Sequence, residues 1–249
     1  MLAKRVITTL MLNNGVLFRS KNFIPDHRFT LNFIDMWSVD EIIILDITRN
    51  LSFDDDLKGL FFKEILEISK NSYVPLTIGG GIRKIRDIEK LLNNGADKVI
   101  INTAALENPK IISLAAREFG SQCIVVSVDV ETKDNKLNLM ENYGQIKSKF
   151  DLVEYIEMIQ NYNAGEIFLQ SVNMDGSLLG YDLNIIDKIQ KHIKIPLIIS
   201  CGAGNWSHVE QALKKDIVSA ASLTNIFHFT EKSINNLKNN LKKSIYIRS

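Results

Sequence analysis

The chain has 249 residues, 45% apolar and 24% charged, with 30 Lys+Arg against 29 Asp+Glu, and a net charge of +1 carries no footprint for nucleic acid or a membrane surface. No apolar run approaches the roughly 18 residues of a spanning helix, and the opening MLAKRVITTLMLNNG has too short an apolar stretch for a secretion signal. Two cysteines, Cys123 and Cys201, do not make a disulfide scaffold, so one cytoplasmic domain over 1–249, long enough to bury a full core, is expected.

Short apolar, β-branched runs fall at 5–11, 41–46, 75–78, 98–102, 123–129, 166–170, 196–200 and 217–223. Each is nearly continuous in Val, Ile and Leu, the pattern of strands buried on both faces of a parallel sheet. Amphipathic stretches separate them, among them IRDIEKLLNN (85–94), PKIISLAAREF (109–119) and LVEYIEMI (152–159). Pro109 suits a first helical turn, and Gly95 and Gly120 suit helix ends. Eight strand–helix units, with no linker or low-complexity stretch dividing them, predict an α/β fold, a (βα)8 TIM barrel.

The chain also repeats itself. PLTIGGGI (75–82) lies on PLIISCGA (196–203), DEIIIL (40–45) on GEIFLQ (165–170), and RVITTLM (5–11) on CIVVSVD (123–129). The barrel is therefore read as two half-barrels of four units. Barrel enzymes work at the carboxyl ends of their strands. There, Gly79–Gly81 with Asn102 and Thr103, and half a barrel away Cys201–Gly204 with Thr224 and Asn225, offer small residues whose backbone N–H groups can approach an anion. Asp175 and Gly176 stand where they could close the second cradle. Two such cradles around one mouth suggest a long ligand with a phosphate at each end, although the same glycines also serve tight βα turns.

These segments, together with MLAKR (1–5), LDIT (45–48), IGGGIR (78–83), GADKVIINTAALENP (95–109), DGSLLGYD (175–182), GAGN (202–205) and IFHF (226–229), carry a resemblance. The chain resembles the HisF family, the cyclase subunit of imidazole glycerol phosphate synthase, from end to end. The resemblance implies a barrel that receives ammonia from a HisH-like glutaminase in a heterodimer and delivers it to a bis-phosphorylated substrate at the opposite mouth. It implies proton transfer by Asp129, a phosphate contact from Arg19, and substrate contacts from Gly80, Gly81, Gly202 and their neighbours above. It further implies an ammonia gate of Arg5, Glu41, Lys98 and Glu166, and a partner contact at Asp97.

The chain also departs from the family. A second catalytic aspartate is implied at the end of the first strand, where this sequence has Met11, a side chain without a titratable proton. Gln170, Asn173, Met174, Thr224 and Asn225 replace other usual mouth residues, and the segment 23–40 is shorter than in the family, which predicts a truncated first helix. Three readings follow. The first is an ammonia-conducting synthase subunit with altered chemistry. HisF-like proteins lacking the first aspartate look associated with surface-polysaccharide synthesis, where ammonia would pass to a separate amidotransferase acting on a nucleotide-linked sugar. The second is the ordinary cyclase of histidine biosynthesis; the third is a non-catalytic activator of a glutaminase.

Other features take plain readings. Asp54–Asp56 suit the acidic first turn of a helix better than a metal site. His27, His192, His208 and His228 have no ligand spacing, Cys201 has no histidine placed to activate it, and the basic stretch 232–243 reads as a solvated helix face. No metal or cofactor is expected.

Overall fold

The computed structural model describes residues 3–28, 39–49, 53, 58–224 and 234–248. In chain order, β1 (Arg5–Asn13) leads into the strands β2 (Val16–Lys21) and β3 (Ile24–Arg28), then β4 (Glu41–Asp46), α1 (Lys58–Asn71), β5 (Leu76–Gly79) and α2 (Ile85–Asn93). Next come β6 (Lys98–Ile101), α3 (Thr103–Glu107), α4 (Lys110–Phe119), β7 (Ile124–Lys133), β8 (Lys136–Glu141), β9 (Ile146–Lys147) and α5 (Leu152–Asn161). The remaining elements are β10 (Glu166–Ser171), α6 (Leu183–Ile189), β11 (Leu197–Ser200), α7 (Trp206–Leu213), β12 (Val218–Leu223) and α8 (Ile234–Leu241).

Strands β1, β4, β5, β6, β7, β10, β11 and β12 pair in parallel in that order, and β12 returns to β1. The result is a closed (βα)8 TIM barrel. The eight apolar runs fall on these strands to within a residue or two at most ends. β1 and β7 run further than the sequence suggests, because each continues past the barrel rim into antiparallel pairing, β1 with β2 and β7 with β8. This shared overhang, at the first strand of each group of four, is the structural counterpart of the sequence repeat. The predicted truncated first helix falls largely on 29–38, and Asp54–Asp56, Asn225, His228 and Lys232 also lie outside the described residues.

Local chemistry places the helices. Asp151 begins α5 by accepting from Val153 N at 2.8 Å, Asn205 begins α7 by accepting from His208 N at 3.1 Å, and Gly120, at φ +91°, ends α4. Asp40 ties the amino end of the barrel together: its carboxylate accepts from Val6 N at 2.7 Å and from Lys238 Nζ of α8 at 2.5 Å.

Alternate residues of each strand face the barrel axis, so the interior can be read in steps of two. β1 contributes Arg5, Ile7, Thr9 and Met11; β4 contributes Glu41, Ile43 and Leu45; β10 contributes Glu166, Phe168 and Gln170. The middle of these columns is an apolar cluster of Ile7, Ile43, Ile100, Val125, Phe168, Ile198 and Ala220, separate from the larger core between sheet and helices. From the amino to the carboxyl end, the axis therefore passes from charged to apolar to polar.

Candidate active site

At the amino end, Arg5, Glu41, Lys98 and Glu166 are the first residues of β1, β4, β6 and β10, which brings their side chains onto one level. They close a ring. Arg5 Nη1 donates to Glu41 Oε2 at 2.6 Å and Arg5 Nη2 to Glu166 Oε2 at 2.8 Å. Lys98 Nζ donates to Glu41 Oε2 at 3.0 Å and to Glu166 Oε1 at 2.8 Å. Thr77 adds a hydroxyl donor to Glu41 Oε1 at 2.6 Å. Burial alone would raise the Glu166 carboxyl and lower the Arg5 guanidinium. The opposite charges outweigh it, holding Glu166 below the usual carboxylate range and Arg5 above its ordinary value. Beside the ring, Asp97 is exposed on the same end, with one carboxylate oxygen accepting from Leu76 N at 2.8 Å.

At the carboxyl end lies a cavity of about 170 Å³, with Met11, Gly80, Asn102, Asp129, Gln170 and Asp175 in its wall. Asp129 is held by three neutral donors. Asn102 Nδ2 reaches its Oδ2 at 2.8 Å, while Ser127 Oγ and Gln170 Nε2 reach its Oδ1 at 3.0 and 3.1 Å. Burial pushes this carboxyl above its ordinary range, the three hydrogen bonds pull it back in part, and the charge of Asp175 adds to the rise. A buried carboxyl raised above its ordinary range, with no cationic partner among the described residues, is suited to accept and return a proton.

Two further carboxylates stand in this wall, Asp46, which is paired with Lys58, and Asp175. Asp175 Oδ2 accepts from Phe23 N at 2.9 Å, which fastens the β10–α6 loop to the turn between β2 and β3. Burial raises the Asp175 carboxyl as well, opposed by hydrogen bonds from Phe23, Ser20 and Cys201. Met11 also faces the cavity and is buried, its thioether accepting from Ser20 Oγ at 3.3 Å. Cys201 holds a left-handed φ of +75°, and burial together with Asp175 pushes its thiol well up, which makes it a poor nucleophile.

The glycine cradles have a packing reason of their own. A Cβ on Gly80 would stand 2.2 Å from Asp46 O, and one on Gly202 would stand 2.0 Å from Gly180 O, so neither position admits a side chain. Gly80, Gly81, Asn102 and Thr103 border the main cavity together with Arg83. Asp175, Gly176, Gly202 and Thr224 border a neighbouring recess of about 20 Å³. Asn102 turns its amide to Asp129. Arg19 does not border the cavity; its guanidinium pairs with Asp26 across β2 and β3, with Nη2 to Oδ2 at 3.0 Å. The four ring residues thus meet at one end and the described residues of the two glycine loops at the other, Arg19 pairs with Asp26, and Ser127, Gln170 and Phe23 emerge as partners of Asp129 and Asp175 that sequence spacing does not reveal.

A further buried pair stiffens the first cradle. Lys58 Nζ meets Asp46 Oδ2 at 2.5 Å and Gly80 O at 3.2 Å, with the Phe53 and Phe61 rings 4.7 Å away on either side. Lys58→Met would strand the Asp46 carboxylate in an apolar pocket, at an expected cost of about 3–5 kcal/mol. Denaturant unfolding of Lys58→Met beside Lys58→Met/Asp46→Leu checks this, because the double variant is expected to recover most of the loss.

Comparison with known proteins agrees with the geometry. A family model described as histidine biosynthesis protein matches residues 9–233. The chain is similar to the imidazole glycerol phosphate synthase subunit HisF of Hydrogenobaculum sp., 39% identical over 255 residues and covering all of both chains. It is also similar to the subunit of the same name from Dictyoglomus thermophilum, 39% identical over all of this chain and 99% of that one. The HisF subunit of Clostridium botulinum is 36% identical over 98% of this chain and 97% of its own. The chain belongs to the HisF family of imidazole glycerol phosphate synthase subunits.

Proposed function

We propose that this chain is the ammonia-using cyclase subunit of a glutamine-dependent synthase. The observation that carries this reading is the placement of the closed charged ring and the Asp129 cavity at opposite ends of one barrel axis, with an apolar waist between them. An ion crossing that waist would lose its hydration without a counter-charge, whereas neutral ammonia crosses at far lower cost. The ring admits ammonia from a HisH-like glutaminase docked at the amino end, where Asp97 is exposed. The cradles around Gly80, Gly81 and Thr103, and around Gly176, Gly202 and Thr224, hold the phosphates of the acceptor. Asp129 removes and returns protons as the new carbon–nitrogen bond forms and the ring closes.

The names of the relatives favour imidazole glycerol phosphate synthase chemistry and lend nothing to a surface-polysaccharide setting or to a non-catalytic activator. One observation keeps an altered acceptor in view. Met11 places a thioether, anchored by Ser20, where the resemblance implies a carboxylate. A mouth with Asp129, Asp175 and the Lys58-paired Asp46 but no acid at position 11 suits a slower cyclase, or an acceptor such as a nucleotide-linked sugar.

Mixing the purified chain with the glutaminase subunit of a relative's synthase tests the partner. A one-to-one complex with raised glutamine hydrolysis is expected. Absence of both complex and stimulation at micromolar concentrations of each chain contradicts it.

A further inference from the structure

Directly beneath Asp129 the barrel axis changes character. The layer contributed by β1, β7 and β11 carries Thr9, Ser127 and Ser200, three hydroxyls that border the floor of the mouth cavity. Ser222 of β12 stands beside them, its Oγ 2.5 Å from Thr9 Oγ1. All four are buried, on the cavity side of the apolar waist formed by Ile43, Ile100, Phe168 and their neighbours.

Barrel interiors are usually filled by bulky branched side chains, so a hydroxyl layer above an apolar one asks for a polar occupant. The protons of this layer are partly committed. Ser127 donates to Asp129 Oδ1 at 3.0 Å and accepts from Gln170 Nε2 at 3.2 Å, Ser200 Oγ takes a long contact from Cys201 Sγ at 3.9 Å, and one hydroxyl of the Thr9–Ser222 pair donates to the other. A hydroxyl has two acceptor lone pairs for its one proton, so Thr9, Ser127 and Ser200 each keep at least one lone pair beyond these contacts and the layer still presents oxygen acceptors to the cavity.

We infer that this hydroxyl floor is a binding site for the ammonia nitrogen, one that takes up its N–H groups and leaves its lone pair directed up the axis toward the acceptor. The inference deepens the ammonia-using reading and rests on it for the identity of the ligand. Thr9, Ser127 and Ser200 receive the N–H donors. Ser127 also links the docked nitrogen to Asp129, which takes the proton that nitrogen sheds after it attacks. The site is distinct from the phosphate cradles, which border the cavity higher up.

Crystals of the whole chain, free of ammonium and soaked at pH 8 in thallium(I) acetate, test it, since thallium(I) is a monocation of ammonium's size with strong anomalous scattering. An anomalous peak bounded by Thr9, Ser127 and Ser200 is expected, as is its loss in Thr9→Val/Ser200→Ala. No peak at the floor of the native chain, or a peak that persists in the double variant, overturns the site. Ammonium-driven turnover separates this from the function. Ser200→Ala is expected to raise the KM for ammonium about tenfold, the effect of one lost hydrogen bond, with the KM for the phosphorylated substrate unchanged. A thallium peak in a chain that turns nothing over leaves the site standing and removes the functional reading. Turnover without a peak, and with ammonium KM unmoved, does the reverse.

Discussion

Asp129→Asn is expected to cut ammonia-driven turnover by about 10²–10⁴-fold, the usual loss for one positioned acid–base group, while leaving the chain at least as stable. The two effects have one cause. The Asp129 carboxyl titrates higher in the folded chain than in the unfolded one because it is buried among neutral donors. Between those two values the folded state holds the extra proton, so stability falls as pH rises through that window, and the loss is complete above the folded value. Asparagine has no charge to bury. It keeps an oxygen for Asn102, and Ser127 and Gln170 can turn to accept from its amide. Its Tm is therefore expected to exceed the native value at pH 7 by a few degrees and to match it below about pH 4, where the unfolded carboxyl is also protonated. Thermal scans at both pH values, run beside turnover, check this. An inactive variant that is also less stable at pH 7 would mean that Asp129 holds the barrel mouth together rather than storing strain for chemistry.

The second large effect is expected at the opposite end. Arg5→Ala breaks two of the four links in the ring and leaves Glu41 and Glu166 to share Lys98. Removing one partner of such a desolvated network is expected to cost about 3 kcal/mol, or roughly 6–12 °C in Tm for a chain of this length. Function should suffer differently from stability. In the complex with a glutaminase, glutamine hydrolysis continues, but ammonia is lost at the opened entrance, so less than one product forms per glutamine. Arg5→Lys should restore stability only in part, since an ammonium cannot fork to both carboxylates as the guanidinium does. The ring should also loosen in acid. Glu166 titrates lower in the folded chain than in the unfolded one, so the stability it contributes is present above its unfolded value and disappears as pH falls through its folded value. Arg5→Ala with unchanged Tm and one-to-one coupling would show the ring to be surface decoration.

The barrel was legible because its strands are buried on both faces, which leaves runs such as EIIILD and CIVVSVD with little polar interruption. The interior columns were legible in principle too. Arg5-Ile7-Thr9-Met11 and Glu166-Phe168-Gln170 each run from charge through apolar to the mouth in steps of two, but only closure of the barrel brings four such columns onto one axis. The antiparallel extensions were missed although Asn14–Gly15, at φ +51° and +72°, is a strong two-residue hairpin signal. The turn at Asn22–Phe23 gave no comparable cue, because an aromatic at φ +60° is a conformation that sequence rules do not assign. The partners of Asp129 were hidden for another reason. Gln170 lies opposite Asp129 only in the β7–β10 register, and Ser127, two residues earlier on the same strand, reads in sequence as an ordinary break in an apolar run. For Arg19, whose phosphate contact was implied by the family resemblance, the structure adds a pairing with Asp26 on the next strand, which sequence spacing gave no reason to expect.

The most direct test of the proposed chemistry is conversion of the bis-phosphorylated substrate of imidazole glycerol phosphate synthase by the purified chain, with ammonium salt and no glutaminase, run beside Met11→Asp. Slow conversion by the native chain is expected, with a gain of about 10²-fold or more when a carboxylate is returned to position 11, within reach of the Ser20 hydroxyl that it would share with Asp175. No conversion by either chain would contradict the assignment of this cavity to that substrate. Rapid native conversion that Met11→Asp does not improve would contradict the weight placed on Met11.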